Sequence, residues 1–116
     1  MSRNASPRLT ACLLICAASW VGGGAARAAD YEVVIHHAEL EETGIKPKVG
    51  DTITFINHAE ISHNLYLTYE DGRMETLDTQ IPNSTKKAVL HTAGRVVIRC
   101  WIHPIIRLEM TVADAS

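Results

Sequence analysis

The chemistry of this chain concentrates around one cysteine. Cys100-Trp101-Ile102-His103-Pro104 sets a thiol and an imidazole in a Cys-x-x-His spacing. A second segment, Asn57-His58-Ala59-Glu60-Ile61-Ser62-His63-Asn64, offers two more imidazoles and a carboxylate. A thiolate with two imidazoles is a soft donor set that suits copper or zinc. Cys-x-x-His also arises by chance, and a lone histidine is commonly a surface or hydrogen-bonded residue. Local spacing alone therefore leaves a metal site as one of two readings. Cys100 with His103 can also be read as a nucleophile and its base. Close spacing is not catalytic geometry, which needs the base positioned on the nucleophile. Hydrolysis at a metal needs an open, water-bearing position. The chain is therefore not expected to be an enzyme.

The cysteine stands alone once the N-terminus is considered. The chain has 116 residues and 3 cysteines. It opens with a short basic region containing Arg3 and Arg8, followed by the apolar run Ala11–Val21. Gly22-Gly23-Gly24 breaks the run, and Ala26-Arg27-Ala28 supplies an A-x-A cleavage pattern. This is the three-part layout of a secretory signal peptide. The run of about 11 residues is too short for a spanning helix, which needs roughly 20. An uncleaved anchor and a lipoprotein at Cys16 are the lesser alternatives. The expected division is residues 1–28 as leader and residues 29–116 as one mature domain. The mature domain is expected in a bacterial periplasm, with no stable membrane insertion after cleavage. Cys12 and Cys16 would leave with the leader. Cys100 would then have no intrachain disulfide partner in an oxidising compartment, and needs protection, a partner or a metal.

Charge excludes one broad class. Lys and Arg number 11 against 13 Asp and Glu, and residues 1–29 hold three of the bases and no acid. The acidic remainder argues against a nucleic-acid partner, because phosphate contacts need clustered Lys and Arg.

The elements that must position the donors read as strands. Tyr31–Ile35, Ile45–Val49, Thr52–Ile56, His63–Tyr69, Thr76–Ile81, Lys86–His91, Val96–Cys100 and Arg107–Val112 are short runs, several alternating with period two. Asp71-Gly72, Pro82-Asn83 and Ala93-Gly94 separate them. Alternation with turns at this spacing predicts an all-β sandwich or barrel. Residues 36–43 are expected to make a single turn. The expected core is Ile53, Phe55, Leu65, Leu67, Val89, Val97, Leu108, Met110 and Val112. On this reading Cys100 ends one strand, His103 follows it in a loop and His63 begins another strand. Neighbouring strand ends can bring all three to one pole.

Taken together, these segments resemble the cupredoxins, small blue copper proteins of the plastocyanin, amicyanin and pseudoazurin kind. The matching residues are Gly50-Asp51-Thr52-Ile53-Thr54-Phe55-Ile56-Asn57, His63-Asn64, Gly94–Cys100 and His103-Pro104. The resemblance covers most of residues 45–112 and implies a cupredoxin-like Greek-key β-sandwich. It also implies one copper per chain, cycling between Cu(I) and Cu(II), on His63, Cys100 and His103. It gives Asn64 the role of a family asparagine whose side chain ties the ligand loops together. Where the family places an axial methionine, this chain has Ile106. An isoleucine has no lone pair, so the weak axial donor of the usual site is missing.

Several other side chains could in principle fill that gap. Met110 falls on the expected inward face of the last strand and reads as core. Met74 lies near a turn and has no place in the family pattern. Glu60 and His58 share the loop leading to His63, and either is a possible additional or axial ligand. His36 and His37 are adjacent at the end of the first strand, and with His58 and His91 they read as surface or hydrogen-bonding residues, a second copper or zinc site among them, such as His58 with Glu60, being the lesser alternative.

Two functions stay open at this point. One is an electron carrier serving a redox partner protein, with His103 as the electron port inside an apolar surround of Trp101, Ile102, Pro104 and Ile105. The other is a copper chaperone, storage or metal-centre assembly protein serving a copper-acceptor protein. A sandwich that has lost its copper is a third and weaker reading.

Overall fold

The structure, a computed structural model, describes residues 27–42 and 44–115. Residues 1–26, with nearly all of the expected leader, lie outside the described residues. Among the described residues no helix is long and apolar enough to cross a membrane.

The described chain forms β1 (Asp30–Ile35), β2 (Leu40–Glu41), β3 (Thr52–Asn57), β4 (His63–Tyr69), β5 (Met74–Gln80), β6 (Thr85–Val89), β7 (Gly94–Cys100) and β8 (Arg107–Val112). They assemble into two 4-stranded sheets, β2-β1-β3-β6 and β5-β4-β7-β8. β1 and β3 run parallel, and the other neighbours run antiparallel. This is a two-sheet Greek-key sandwich. β3, β4 and β7 bury alternate side chains because successive residues point to opposite faces. Val33, Ile35, Ile53 and Phe55 from one sheet meet Leu65, Leu67, Val96 and Ile98 from the other.

Strand pairing corrects three expected core positions. Ile53 pairs with Ala88, so Ala88 shares the inward face and its neighbour Val89 turns out to solvent, 41% exposed. Leu65 pairs with Cys100 and Leu67 with Ile98, which sets Val96 inward and Val97 on the outer face. Leu108 lies on the expected face but is only half-buried, packed at the margin of the core. Ile53, Phe55, Leu65, Leu67, Met110 and Val112 are buried as expected.

Two segments differ from expectation. Residues 36–42 do not make an isolated turn: β2 folds back on β1, pairing Val34 with Glu41 and Ile35 with Leu40; Thr43, the last residue of the expected turn, lies outside the described residues. The His36 N–H donates to the Glu39 carbonyl at 2.9 Å and closes that hairpin. Residues 45–49 form no strand, only a parallel bridge from Lys48 to Ala113. Pro47 lacks an N–H for a ladder, and the chain turns at once through Gly50 at a φ of 98°.

Two left-handed residues shape the end of the sandwich near His63. The β4–β5 register shifts between Asn64 and Tyr66, which pair with Thr79 and Thr76. β5 carries the extra residue of this bulge, with Asp78 at a φ of 61°. A bulge bends its strand and increases its twist. Pro82 and Asn83 then turn the chain, with Asn83 at a φ of 65°. Pro followed by a left-handed Asn is the sequence chemistry of a type II turn.

Candidate metal centre

The first donor is set by a strand start. His63 opens β4 and is 0% exposed. The loop before it is held by Asn57, a buried residue whose Nδ2 donates to the carbonyls of Ile61 and Gln80, each at 3.0 Å. The Asn57 Oδ1 accepts the Ala59 N–H at 2.9 Å. Gln80 continues the clamp, its Nε2 donating to the carbonyls of Phe55 and Ser84, each at 2.8 Å. Sequence reasoning missed Asn57 and Gln80 as site supports. The available signal was an amide side chain directly after the alternating apolar residues of β3.

The second donor is set by a strand end. Cys100 closes β7 beside β4, opposite Leu65. It is 2% exposed. The Asn64 N–H donates to the Cys100 Sγ at 3.4 Å, and the Asn64 carbonyl accepts the Trp101 N–H at 2.9 Å. The tie between the ligand segments thus runs through the Asn64 backbone. Its side-chain Oδ1 is buried without a hydrogen-bond partner among the described residues. The third donor, half-buried His103, sits in the loop between β7 and β8. Its carbonyl accepts the Ile106 N–H at 3.0 Å, closing a turn with Pro104 at its second position.

The three side chains converge. The Cys100 Sγ lies 3.6 Å from the His63 Nδ1 and 3.8 Å from the His103 Nδ1. All three ligand atoms fall within 4.8 Å of one another. A metal with bonds of about 2.0 Å to nitrogen and about 2.3 Å to sulfur, in a trigonal plane, separates N from S by about 3.7 Å. The observed distances fit that requirement, and the donor set suits copper. The cluster is a potential site for a single copper ion. Burial lowers the pKa of His63 below its ordinary 6.5, nearby His103 and His37 lower it further, and the His36 backbone opposes. A neutral imidazole is the form a metal binds. The opposite ring atom, Nε2, is buried with no hydrogen-bond partner among the described residues.

No fourth His, Cys, Asp or Glu joins this cluster among the described residues. Ile106 is 0% exposed and belongs to the apolar core. Met110 is also core, as its strand position implied. Met74 pairs with Thr68 toward the far end of β4, well away from His63. His58 and Glu60 are exposed in their loop and stay outside the cluster. His37 is exposed, in keeping with a surface residue, yet its ring centroid lies 6.3 Å from that of His103. Trp101, Ile102 and Ile105 are exposed large hydrophobics around His103. Trp101 stacks on Tyr66 with centroids 3.9 Å apart.

The chain has a cupredoxin-like fold of amicyanin type, carrying this His/Cys/His cluster and an isoleucine where an axial methionine would stand. The fold matches an oxidized amicyanin mutant at 24% identity, covering 72% of this chain and 81% of that chain, with a TM-score of 0.63. It also matches the Cu(I) form of another amicyanin mutant at 24% identity, over 72% and 81% of the two chains, with a TM-score of 0.62.

The chain belongs to the methylamine utilization protein MauL family. It is 67% identical over 88 residues to the MauL protein of Methylorubrum extorquens, covering 76% of this chain and 77% of the relative. It is 38% identical over 88 residues to that of Methylophilus methylotrophus, covering 74% of this chain and 51% of the relative. A third MauL protein, from Methylobacillus flagellatus, is 33% identical over 89 residues, covering 71% and 57%. The chain thus spans only about half the length of the last two relatives. No family model matches it.

Proposed function

We propose that this protein is a periplasmic mononuclear copper carrier of single electrons that serves methylamine utilization. One observation carries the reading. The Cys100 Sγ stands 3.6 Å and 3.8 Å from two imidazole Nδ1 atoms, which is donor spacing for one metal ion. His63, Cys100 and His103 would hold the copper, one ion per chain. When bound, copper supplies a Cu(II)/Cu(I) couple.

The chain's own residues supply the rest. Strand ends and the Asn57 clamp hold the donors, so a change of charge at the site moves them little. The Cys100 thiolate is the dominant donor. Ile106 presents hydrocarbon where the family places a sulfur, which disfavours Cu(II) and shuts out water. His103 links the interior donors to the surface. Trp101, Ile102 and Ile105 form an apolar rim where a redox partner protein would dock. The place in methylamine utilization is taken from the relatives' name.

The periplasmic location rests on residues 1–28 acting as a cleaved leader. Cleavage after Ala28 would free the amine of Ala29. That nitrogen already lies 2.8 Å from the Oδ1 of buried Asp51. An intact mass of protein recovered from the periplasm checks this reading: a chain starting at Ala29 agrees with it, and a retained leader does not.

The carrier role is tested by repeated oxidation and reduction of the copper-loaded protein, with metal content measured after each cycle. Reversible spectra with one copper retained support it. A second reading, copper delivery or metal-centre assembly, is favoured by the missing fourth donor at Ile106. Release of Cu(I) on reduction, or its transfer to an acceptor protein, would put that reading first.

A further inference from the structure

The β1–β2 hairpin carries an unassigned imidazole to the same pole as the cluster. Its turn is closed by the His36 N–H on the Glu39 carbonyl at 2.9 Å. The His58 N–H fixes the end of β1 through the Ile35 carbonyl at 3.0 Å. The His36 ring is engaged by the Glu41 carboxylate, Nε2 to Oε2 at 2.6 Å. His37, the next residue, is exposed and tilted 48° to His103.

The spacing of the three imidazoles is graded. The centroids of buried His63 and half-buried His103 lie 4.7 Å apart, and those of His103 and exposed His37 lie 6.3 Å apart. With metal–nitrogen bonds of about 2.0 Å, two imidazoles on one ion hold their centroids no more than about 6 Å apart. The inner pair meets that limit and the outer pair sits at its edge. A small side-chain rotation would let His37 and His103 share an ion that is not yet seated between His63 and Cys100. His37 is outside the resting cluster, so it is not a resident fourth ligand.

We propose that His37 is the transfer ligand for Cu(I), passing the ion to and from His103 at the mouth of the site. The inference rests on the copper reading above. The apolar rim of Trp101, Ile102 and Ile105 offers an arriving ion no donor. An imidazole beside it lets ligands exchange one at a time, so the ion is never bare. No electron moves in this step: one Cu–N bond forms as another donor leaves, and the Cys100 thiol gives its proton to solvent when the ion seats on it.

The test uses the mature domain and Cu(I) held by the chelator bicinchoninate. Stopped-flow absorption follows loading, and chelator challenge follows unloading. His37→Ala is expected to slow both directions by about tenfold or more, with equilibrium affinity and the Cu(II) spectrum within about twofold of wild type. A ligand that speeds exchange acts equally on both directions. His37→Met, which keeps a Cu(I) donor, should recover part of the rate, and His58→Ala should leave it unchanged. Unchanged rates in His37→Ala would overturn the proposal. So would a loss of affinity or an altered spectrum, which would make His37 a resident ligand. Failure of the wild-type protein to bind copper would instead remove the copper reading itself, and with it the role of His37.

Discussion

The two poles of this sandwich each bury an ionisable group and treat it differently. At one pole Asp51 is 0% exposed just before β3. Its carboxylate accepts the Ala29 N–H at 2.8 Å and the Lys48 N–H at 2.9 Å, and meets the Lys48 ammonium at 3.2 Å. At the other pole His63 is equally buried, but its Nε2 lacks a hydrogen-bond partner of good geometry among the described residues and its Nδ1 lies 3.6 Å from the Cys100 Sγ. A buried polar group costs free energy unless it is satisfied. The chain satisfies Asp51 from its own atoms, which marks a structural site. It leaves three donors converged at the other pole, which marks a site for something else. The neighbouring surfaces follow the same division: exposed Trp101, Ile102 and Ile105 lie in the loop that carries His103, whereas Lys48 pairs with Asp51.

Perturbing each pole should move a different observable. The largest effect belongs to the metal. Free copper at about a thousand times its dissociation constant should stabilise the fold by about 4 kcal/mol, read by denaturant unfolding. Cys100→Ser should lose most of that gain. Asp51→Asn should cost about 1–3 kcal/mol by leaving the Lys48 ammonium and the Ala29 nitrogen without their anion, with the copper spectrum unchanged. A changed spectrum would mean that the poles are coupled.

The same residue sets an acid dependence. Burial alone would raise the Asp51 pKa, but the Ala29 and Lys48 hydrogen bonds and the Lys48 charge outweigh it and hold it below 3.8. A carboxyl depressed in the fold lends stability that is full above its unfolded pKa. That stability is lost as pH falls through the folded value. Unfolding free energy of the copper-free protein should therefore drop below about pH 4, and the drop should shrink in Asp51→Asn. The smallest stability change is expected for Ile106→Met, a near-isosteric core swap costing less than about 1.5 kcal/mol. Its informative readout is the copper spectrum, which should shift as a thioether becomes available.

The metal pole was more legible in the sequence than its supports. Cys100 and His103 lie close together, and His63 opens an alternating run, so their convergence could be expected from strand ends alone. Strand bounds for His63–Tyr69 and Arg107–Val112 were also readable, because their alternation is clean. Facing was not readable where apolar residues run consecutively. Ala88-Val89-Leu90 and Val96-Val97-Ile98 fit either face, and only pairing with β3 and β4 decides. The Asn57–Gln80 clamp and the approach of His37 to His103 are long-range contacts with no local pattern. The hairpin that carries His37 rests on a two-residue β2, too short to show a period.

The most direct test of the central claim is a copper titration of the purified protein, followed by visible absorption and electron paramagnetic resonance, in wild type and Cys100→Ser. The account predicts an intense thiolate-to-copper band that saturates at one equivalent and is absent from the variant. A band that survives Cys100→Ser, or copper taken up without involving the thiolate, would contradict the assignment of His63, Cys100 and His103 as the copper site.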